Sequence, residues 1–151
     1  MSKVEIYPRL YIGGKLCLSD TDVEWGLVVN VTPDVQFACG PAATTLRVPV
    51  LDIAVISEYK KMLLSFPSIC SAIESTLEDG GCVLVHCNEG QQRSAAVMCA
   101  YLMTKLHLSC DNAIQALKQK YPRAFSDGEP RFREALRVWE RFITQGRQVA
   151  R

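Results

Sequence analysis

The sequence predicts an α/β domain built on a central, mostly parallel sheet of about four to five strands flanked by helices. Short β-branched apolar runs near residues 10–13, 27–31, 46–50 and 82–86 are the expected strands. Longer segments with helical periodicity alternate with them, and such alternation is typical of a parallel sheet covered on both faces. With 151 residues, of which 48% are hydrophobic and 22% charged, we expect one globular domain over 1–151.

Four segments are expected to be helical. Apolar residues recur at spacings of three and four over 59–77, and Pro67 interrupts this stripe, so that the helix either kinks or begins there. The run 95–102 suits a buried helix. Ser109 is expected to cap the next helix, and Gly146 to lie just beyond the last one. The expected buried face of the helix capped by Ser109 comprises Ala113, Ile114, Leu117 and Tyr121. The expected buried face of the last helix comprises Phe132, Leu136, Trp139 and Phe142.

One motif lies between the last expected strand and the buried helix that follows it. Residues 86–94 read HCNEGQQRS, or H-C-x5-R-S. A loop in this position directs successive backbone N–H groups at one point, and the helix N-terminus adds partial positive charge. An anion is therefore held there without any side chain. The motif predicts a phosphate-binding loop that contains a nucleophile.

The side chains of this loop suit phosphoryl transfer. Cys87 is the expected nucleophile, because a thiol beside an arginine and a helix N-terminus is largely thiolate at neutral pH. Arg93 is expected to grip two phosphoryl oxygens with its planar guanidinium, and Ser94 to donate to the departing thiolate. Gly90 allows positive φ where a phosphate approaches the backbone. The expected phosphate-binding residues are Asn88, Glu89, Gly90, Gln91, Gln92 and Arg93, with His86 supporting the loop.

The cysteines outside this motif do not indicate further nucleophiles, because a cysteine in an apolar run is usually a small core residue. An odd count of seven, without the spacing of a disulfide framework, suits a reducing compartment and predicts a cytoplasmic or nuclear protein. No run approaches the roughly 18 apolar residues of a membrane span. The cysteines expected to be inert are Cys17, Cys39, Cys70, Cys82, Cys99 and Cys110.

The pattern H-C-x2-G-x2-R-S followed by an apolar helix resembles the signature of the small, atypical dual-specificity phosphatases, within the protein tyrosine phosphatase superfamily. Residues 4–14 resemble the opening of that family, and 27–32 resemble its strand ending in Asn-Val-Thr, so the resemblance covers residues 4–143. It implies a protein tyrosine phosphatase-like fold. It also implies hydrolysis of phosphotyrosine, phosphoserine and phosphothreonine in proteins through a phosphocysteine intermediate, with no metal and no organic cofactor.

The expected proton donor is Asp52, which ends the apolar run 46–52 and resembles the family's catalytic aspartate at a strand end. Strand ends are where sites are built in α/β proteins, although a solvated loop carboxylate would look the same in sequence. Asp52 precedes Cys87 by 35 positions, which is longer than the family's usual spacing and indicates a short insertion. Glu58 is the alternative acid, although it reads more naturally as an exposed residue at the start of the following helix.

Two departures from the family pattern bear on specificity. Gln92 stands where many members have Ser, and its longer amide is expected to narrow the pocket or to orient the attacking water. Glu129 occupies the position of the family's Asn before a Pro. A carboxylate there is expected to disfavour highly acidic substrates.

Two other functions stay open. One is a phosphatase of RNA 5′ ends or phosphoinositides, although a net charge of +1 and a loop without added cations give little attraction for polyanions. The other is a catalytically weak phosphopeptide-binding module, through a misplaced Asp52 or a pocket that Gln92 obstructs. The expected partner is a phosphoprotein or phosphopeptide substrate. We expect no nucleic acid, no membrane, no metal and a monomer.

Overall fold

The structure is a computed structural model that describes residues 3–19, 22–37 and 44–150. Cys39, one of the cysteines expected to be inert, lies outside these residues. Within them the chain forms five strands, four α-helices and one short 3-10 helix, Lys15–Ser19. The strands are β1 (Lys3–Tyr7), β2 (Leu10–Gly13), β3 (Trp25–Asn30), β4 (Thr44–Arg47) and β5 (Cys82–His86); the helices are α1 (Ile56–Glu78), α2 (Arg93–Leu106), α3 (Cys110–Lys120) and α4 (Arg133–Ala150).

The five strands form one sheet in the order β1-β2-β5-β3-β4. The β2–β5, β5–β3 and β3–β4 pairs are parallel, and only β1 runs antiparallel, to β2. The predicted α/β architecture with a mostly parallel sheet is therefore confirmed. β4 ends earlier than expected, at Arg47, although Val48 N still donates to Asn30 O at 2.9 Å. β1 is the strand that was not placed from the sequence.

The two faces of the sheet are covered differently. Alternate residues of the central strands, such as Val29 and Val85, pack with the helices in the main core. Their neighbours Val28 and Leu84 face the other way and pack with Cys17 of the 3-10 helix. Both faces are covered as expected, but the described α-helices contribute their buried side chains to one face only.

α2 lies at the centre of the helical layer. It contacts α1, α3 and α4 as well as β2 and β5. Every residue from 93 to 103 is buried, which is why this segment has no polar face in the sequence. The chain therefore places its phosphate-loop motif at the start of its most enclosed helix.

The course of α1 excludes one of the two alternatives that the sequence left open at Pro67. α1 begins at Ile56 and continues through Pro67, so the helix does not begin at the proline. Pro67 is exposed, and the apolar stripe buries residues on both sides of it, such as Phe66 and Ile69. That packing outweighs the loss of one helical hydrogen bond.

α4 departs from expectation, because it runs past Gly146 to Ala150. Arg147 Nη2 donates to Met103 O at 3.0 Å and ties this last turn to α2. Phe142 is 62% exposed instead of buried, and it stacks on Trp139 with ring centroids 5.5 Å apart. The cap of α3 is confirmed, because Asn112 N donates to Ser109 Oγ at 3.1 Å.

Candidate active site

The H-C-x5-R-S loop joins the end of β5 to the start of α2, as the sequence predicts. Cys87 lies in this loop and is 2% exposed. Gly90 N donates to Cys87 Sγ at 3.2 Å, and Ser94 Oγ lies 3.2 Å from the same sulfur. Both contacts are of the kind that stabilises a thiolate.

Gly90 is required by the shape of the loop. Its φ is +75°, a conformation that favours glycine. A Cβ at this position would lie 2.5 Å from Tyr121 Oη and 2.9 Å from atoms of Gly13 and Gly14. The phosphate loop is therefore packed directly against the end of β2, at a distance that no side chain permits.

The same contact explains Gly14, which the sequence analysis did not assign to the site. A Cβ on Gly14 would lie 2.8 Å from Asn88 O, and Lys15 N donates to that same oxygen at 2.8 Å. The segment after β2 thus packs against the phosphate loop and hydrogen-bonds to it at Asn88 O. The glycine pair at the end of this strand, Gly13 and Gly14, was the signal available in the sequence.

Arg93 is 8% exposed and is held in place by its Nη1, which donates to Val50 O at 3.0 Å. Its Nε is buried and has no hydrogen-bond partner. Buried donors are normally satisfied, so this nitrogen is available to a bound anion.

A cavity of about 600 Å³ opens at this edge of the sheet. It brings Asp52 to the same cavity as Arg93 and Asn88, although these residues are distant in sequence. Asp52 is also in contact with Arg131, whose Nη1 lies 3.3 Å from Oδ1 and 3.4 Å from Oδ2. The residues lining the cavity are Lys15, Asp34, Val35, Gln36, Leu51, Asp52, Asn88 and Arg93.

Glu58 is not the exposed residue that the sequence suggested. It is 3% exposed, and its Oε1 accepts a hydrogen bond from Leu51 N at 2.7 Å. Its Oε2 lies 3.0 Å from Lys61 Nζ. The backbone hydrogen bond from Leu51, followed by that from Lys61, lowers the pKa of Glu58. An ionised carboxylate with these partners is unsuited to donate a proton, and it does not line the cavity.

Gln92, which was expected to narrow the pocket or to orient the attacking water, is not among the residues that line the cavity. It is 1% exposed, its Nε2 donates to Asp127 Oδ1 at 2.9 Å, and its Oε1 accepts from Arg131 N at 2.9 Å. The amide is thus fully used by the segment before α4. Glu129 lies outside the cavity lining as well, and its side chain, 90% exposed, pairs with Arg133.

Other loop side chains also face away from the cavity. Glu89 pairs with Arg123 at 3.2 Å, and Gln91 Nε2 donates to Ser126 Oγ at 3.0 Å. Because these side chains have partners elsewhere, we expect the backbone N–H groups of the loop to bind the phosphate. His86 is fully buried with Nδ1 3.2 Å from Cys87 O, and burial lowers its pKa, so the ring is neutral at pH 7.

Three of the other described cysteines lie in surroundings that keep a thiol protonated. Burial raises the pKa of Cys70 to about 12 and raises the pKa of Cys99 and of Cys110. Such thiols are poor nucleophiles. No group of three His, Cys, Asp or Glu residues in the described ranges is arranged to hold a metal ion, and none of the helices there is long and apolar enough to cross a membrane.

A parallel sheet that ends in a loop with an enclosed cysteine and arginine defines the class of cysteine-based phosphatases. The family described as "Dual specificity phosphatase, catalytic domain" matches residues 10–142 of this chain. The chain belongs to that family and is therefore a cysteine-based hydrolase of the dual-specificity type.

The relatives agree with this assignment. Dual specificity phosphatase 28 of Mus musculus is 37% identical over 123 residues, which cover 79% of this chain and 73% of the relative. The Homo sapiens protein of the same name is 36% identical over 114 residues, covering 76% of this chain but only 61% of its own length.

Two crystal structures share the fold. That of human dual specificity phosphatase 28 has a TM-score of 0.84 at 30% identity and covers 95% of this chain and 96% of its own. That of a mouse putative dual specificity phosphatase complexed with zinc tungstate has a TM-score of 0.83 at 32% identity, covering 95% and 89%. The predicted resemblance to the dual-specificity phosphatases is confirmed.

Proposed function

We propose that this chain hydrolyses phosphotyrosine, phosphoserine and phosphothreonine in proteins, with Cys87 as the nucleophile. The observation that carries the proposal is the arrangement around the phosphate loop. A cysteine sulfur receives two hydrogen-bonding contacts, a buried arginine has an unused Nε, and Asp52 lines the same cavity as that arginine. Tungstate, which the related mouse phosphatase binds, is a tetrahedral oxyanion like phosphate, and this supports oxyanion binding by the loop.

In the first step, the Cys87 sulfur attacks phosphorus and the bond to the substrate oxygen breaks. Asp52 protonates that leaving oxygen, and a phosphocysteine forms. Backbone N–H groups of the loop and the guanidinium of Arg93 stabilise the negative charge that spreads over the phosphoryl oxygens. The hydrogen bond from Arg93 Nη1 to Val50 O fixes the guanidinium beforehand, so little reorganisation is required.

In the second step, a water attacks the phosphocysteine while the Asp52 carboxylate takes its proton. The sulfur–phosphorus bond breaks, inorganic phosphate forms and Cys87 leaves as a thiolate. Ser94 Oγ, 3.2 Å from the sulfur, donates a hydrogen bond to that thiolate and makes it a better leaving group.

A phosphoprotein substrate suits the charge of the cavity. Its lining combines the cations Lys15 and Arg93 with the carboxylates Asp34 and Asp52. Such mixed charge gives little general attraction for RNA ends or phosphoinositides. The position of Asp52 in the same cavity as Arg93 also favours a working enzyme over a module that only binds phosphopeptides.

The test is steady-state hydrolysis of an activated aryl phosphate and of phosphotyrosine and phosphothreonine peptides. Cys87→Ser is expected to abolish turnover of all three. Asp52→Asn is expected to slow peptide turnover by about 10²- to 10⁴-fold but to spare the aryl phosphate, whose leaving group needs no proton. Cys82→Ser, in the strand that leads to the phosphate loop, is the matched control for Cys87→Ser. Peptide binding by the wild-type chain without turnover would instead support the binding module.

A further inference from the structure

Arg131 makes a contact that the reaction described above does not use. It lies just before α4, and its Nη1 lies within 3.4 Å of both carboxylate oxygens of Asp52. The two residues are 79 positions apart in the chain. Arg131 therefore connects the expected proton donor to a different part of the fold.

Arg131 is itself tied to the phosphate loop through two further residues. Its Nη1 lies 3.1 Å from Asp127 Oδ2, and Asp127 Oδ1 accepts a hydrogen bond from Gln92 Nε2 at 2.9 Å. Gln92 closes the ring, because its Oε1 accepts from Arg131 N at 2.9 Å. Gln92 is buried and immediately precedes Arg93. A continuous set of contacts thus runs from the phosphate loop to the carboxylate of Asp52.

We propose that Arg131 is a positioning residue that fixes the Asp52 carboxylate relative to the phosphate loop, through the ring it forms with Asp127 and Gln92. The inference rests on the proposed function, because it assumes that Asp52 transfers the proton. In this proposal Gln92 and Asp127, which lie outside the cavity lining, hold Arg131 in place.

The geometry of the pair suits orientation more than stability. The Arg131 and Asp52 side chains are 32% and 36% exposed, and their contact is longer than a strong charge-assisted bond. Exposed pairs of this kind stabilise a fold little. A displacement of a catalytic group by about 1 Å, however, is enough to slow a reaction by up to about 100-fold.

Arg131 contacts a second carboxylate, that of Asp127, as well as the carboxylate of Asp52. Burial raises the pKa of Asp127, but hydrogen bonds from Gln92 and Arg131 outweigh burial and lower it. Asp127 is therefore ionised at neutral pH and balances the charge of Arg131. The arginine can hold Asp52 in place without having that carboxylate as its sole counter-ion.

The experiment compares Arg131→Met with Arg133→Met, using an activated aryl phosphate and a phosphotyrosine peptide. Methionine keeps most of the apolar stem and removes the charge. Arg133 is the matched control, because it lies two residues away and pairs with Asp111 and Glu129 but not with Asp52. We expect Arg131→Met to lower kcat on the peptide by about 10-fold and on the aryl phosphate by less than about 2-fold. Arg133→Met is expected to change neither.

A second arm places Arg131→Met in the Asp52→Asn background. If Arg131 acts through Asp52, it causes no further loss there, because coupled residues are not additive. Arg131→Lys is expected to recover part of the peptide activity, and Arg131→Gln is the alternative variant should the methionine variant melt at a lower temperature than wild type.

Three results would overturn the inference: an equal loss on both substrates, a loss that persists in the Asp52→Asn background, or a rise in kcat, which would mean that the pair holds Asp52 away from the leaving group. Failure of the proposed function looks different. In that case Asp52→Asn alone would not discriminate between the two substrates, whatever the Arg131 variants do.

Discussion

Glu58 Oε1 accepts a hydrogen bond from Leu51 N at 2.7 Å, so a buried carboxylate of α1 fixes the backbone directly beside Asp52. Val50, one residue earlier, is fixed by Arg93 at 3.0 Å. The two residues before Asp52 are thus fixed by hydrogen bonds, one to α1 and the other to Arg93 at the end of the phosphate loop. Asp52 needs such support, because it lies beyond the last residue of β4.

We predict that Glu58→Gln destabilises the fold at neutral pH. The pKa of Glu58 is lowered from its ordinary value of 4.5, so its contribution to stability is fully present above that pH and is lost as the pH falls through the folded-state pKa. The difference in Tm between wild type and variant should therefore be largest near pH 7 and shrink below about pH 4.5.

Thermal melting from pH 7 to pH 3 measures this difference. Glu134→Gln is the control, because Glu134 is 68% exposed and pairs only at the surface. A Tm difference for Glu58→Gln that stays constant across this range would show that its charge is not what stabilises the loop.

Gly90→Ala is expected to lower kcat/KM by more than about 100-fold, because the new Cβ would displace the phosphate loop from Gly13, Gly14 and Tyr121. Gly80→Ala separates this effect from backbone strain. Gly80 has a similar φ of +83°, but its Cβ would meet nothing within 4 Å. Strain alone should lower stability by about 1–3 kcal/mol in both variants and leave the activity of Gly80→Ala intact. Equal activity losses would contradict the steric explanation.

Ser94→Ala is expected to slow breakdown of the phosphocysteine more than its formation, because Ser94 Oγ lies beside the sulfur that must leave. In rapid-mixing experiments with an aryl phosphate, the variant should release a burst of phenol equal to the enzyme concentration, followed by a steady rate reduced by about 10- to 100-fold. Ser68→Ala, on the exposed side of α1, is the control. A slow phase with no burst would mean that Ser94 acts in the first step.

Phe66→Ala is expected to cost about 3–5 kcal/mol of unfolding free energy, because the ring is fully buried and packs against Trp139 at 5.8 Å between centroids. Leu64→Ala, two residues away but 78% exposed, should change it by less than about 0.5 kcal/mol. Urea unfolding followed by tryptophan fluorescence measures both. Similar costs for the two variants would show that the α1–α4 contact adds little to the core.

What the sequence could predict was mostly local. The phosphate loop, the strand before it and the Ser109 cap each depend on residues within one short segment. The Gly146 boundary was wrong, because helix propensity is a weak term that the hydrogen bond from Arg147 to Met103 of α2 overrides. At Pro67 the structure excludes a helix start, one of the two alternatives that the sequence left open.

The parts that sequence reasoning missed depend on contacts between distant segments. Gln92 meets Asp127 across 35 positions, and Arg131 meets Asp52 across 79. Neither the hydrophobic periodicity of the sequence nor a short motif indicates which distant side chains will be in contact. The sequence analysis treated the longer spacing after Asp52 only as an insertion, and it missed that Glu58, inside α1, anchors Leu51, the residue before Asp52.

The burial of α2 has a consequence for how this protein loses activity. The helix that carries Arg93 and Ser94 is enclosed by three other helices and two strands, so its amides should exchange with solvent only when the whole domain opens. We therefore expect the catalytic loop not to unfold locally before the rest of the domain. The midpoint of the loss of enzyme activity in denaturant should therefore coincide with the midpoint of the unfolding transition followed by tryptophan fluorescence. Inactivation by heat should likewise report global unfolding of the domain.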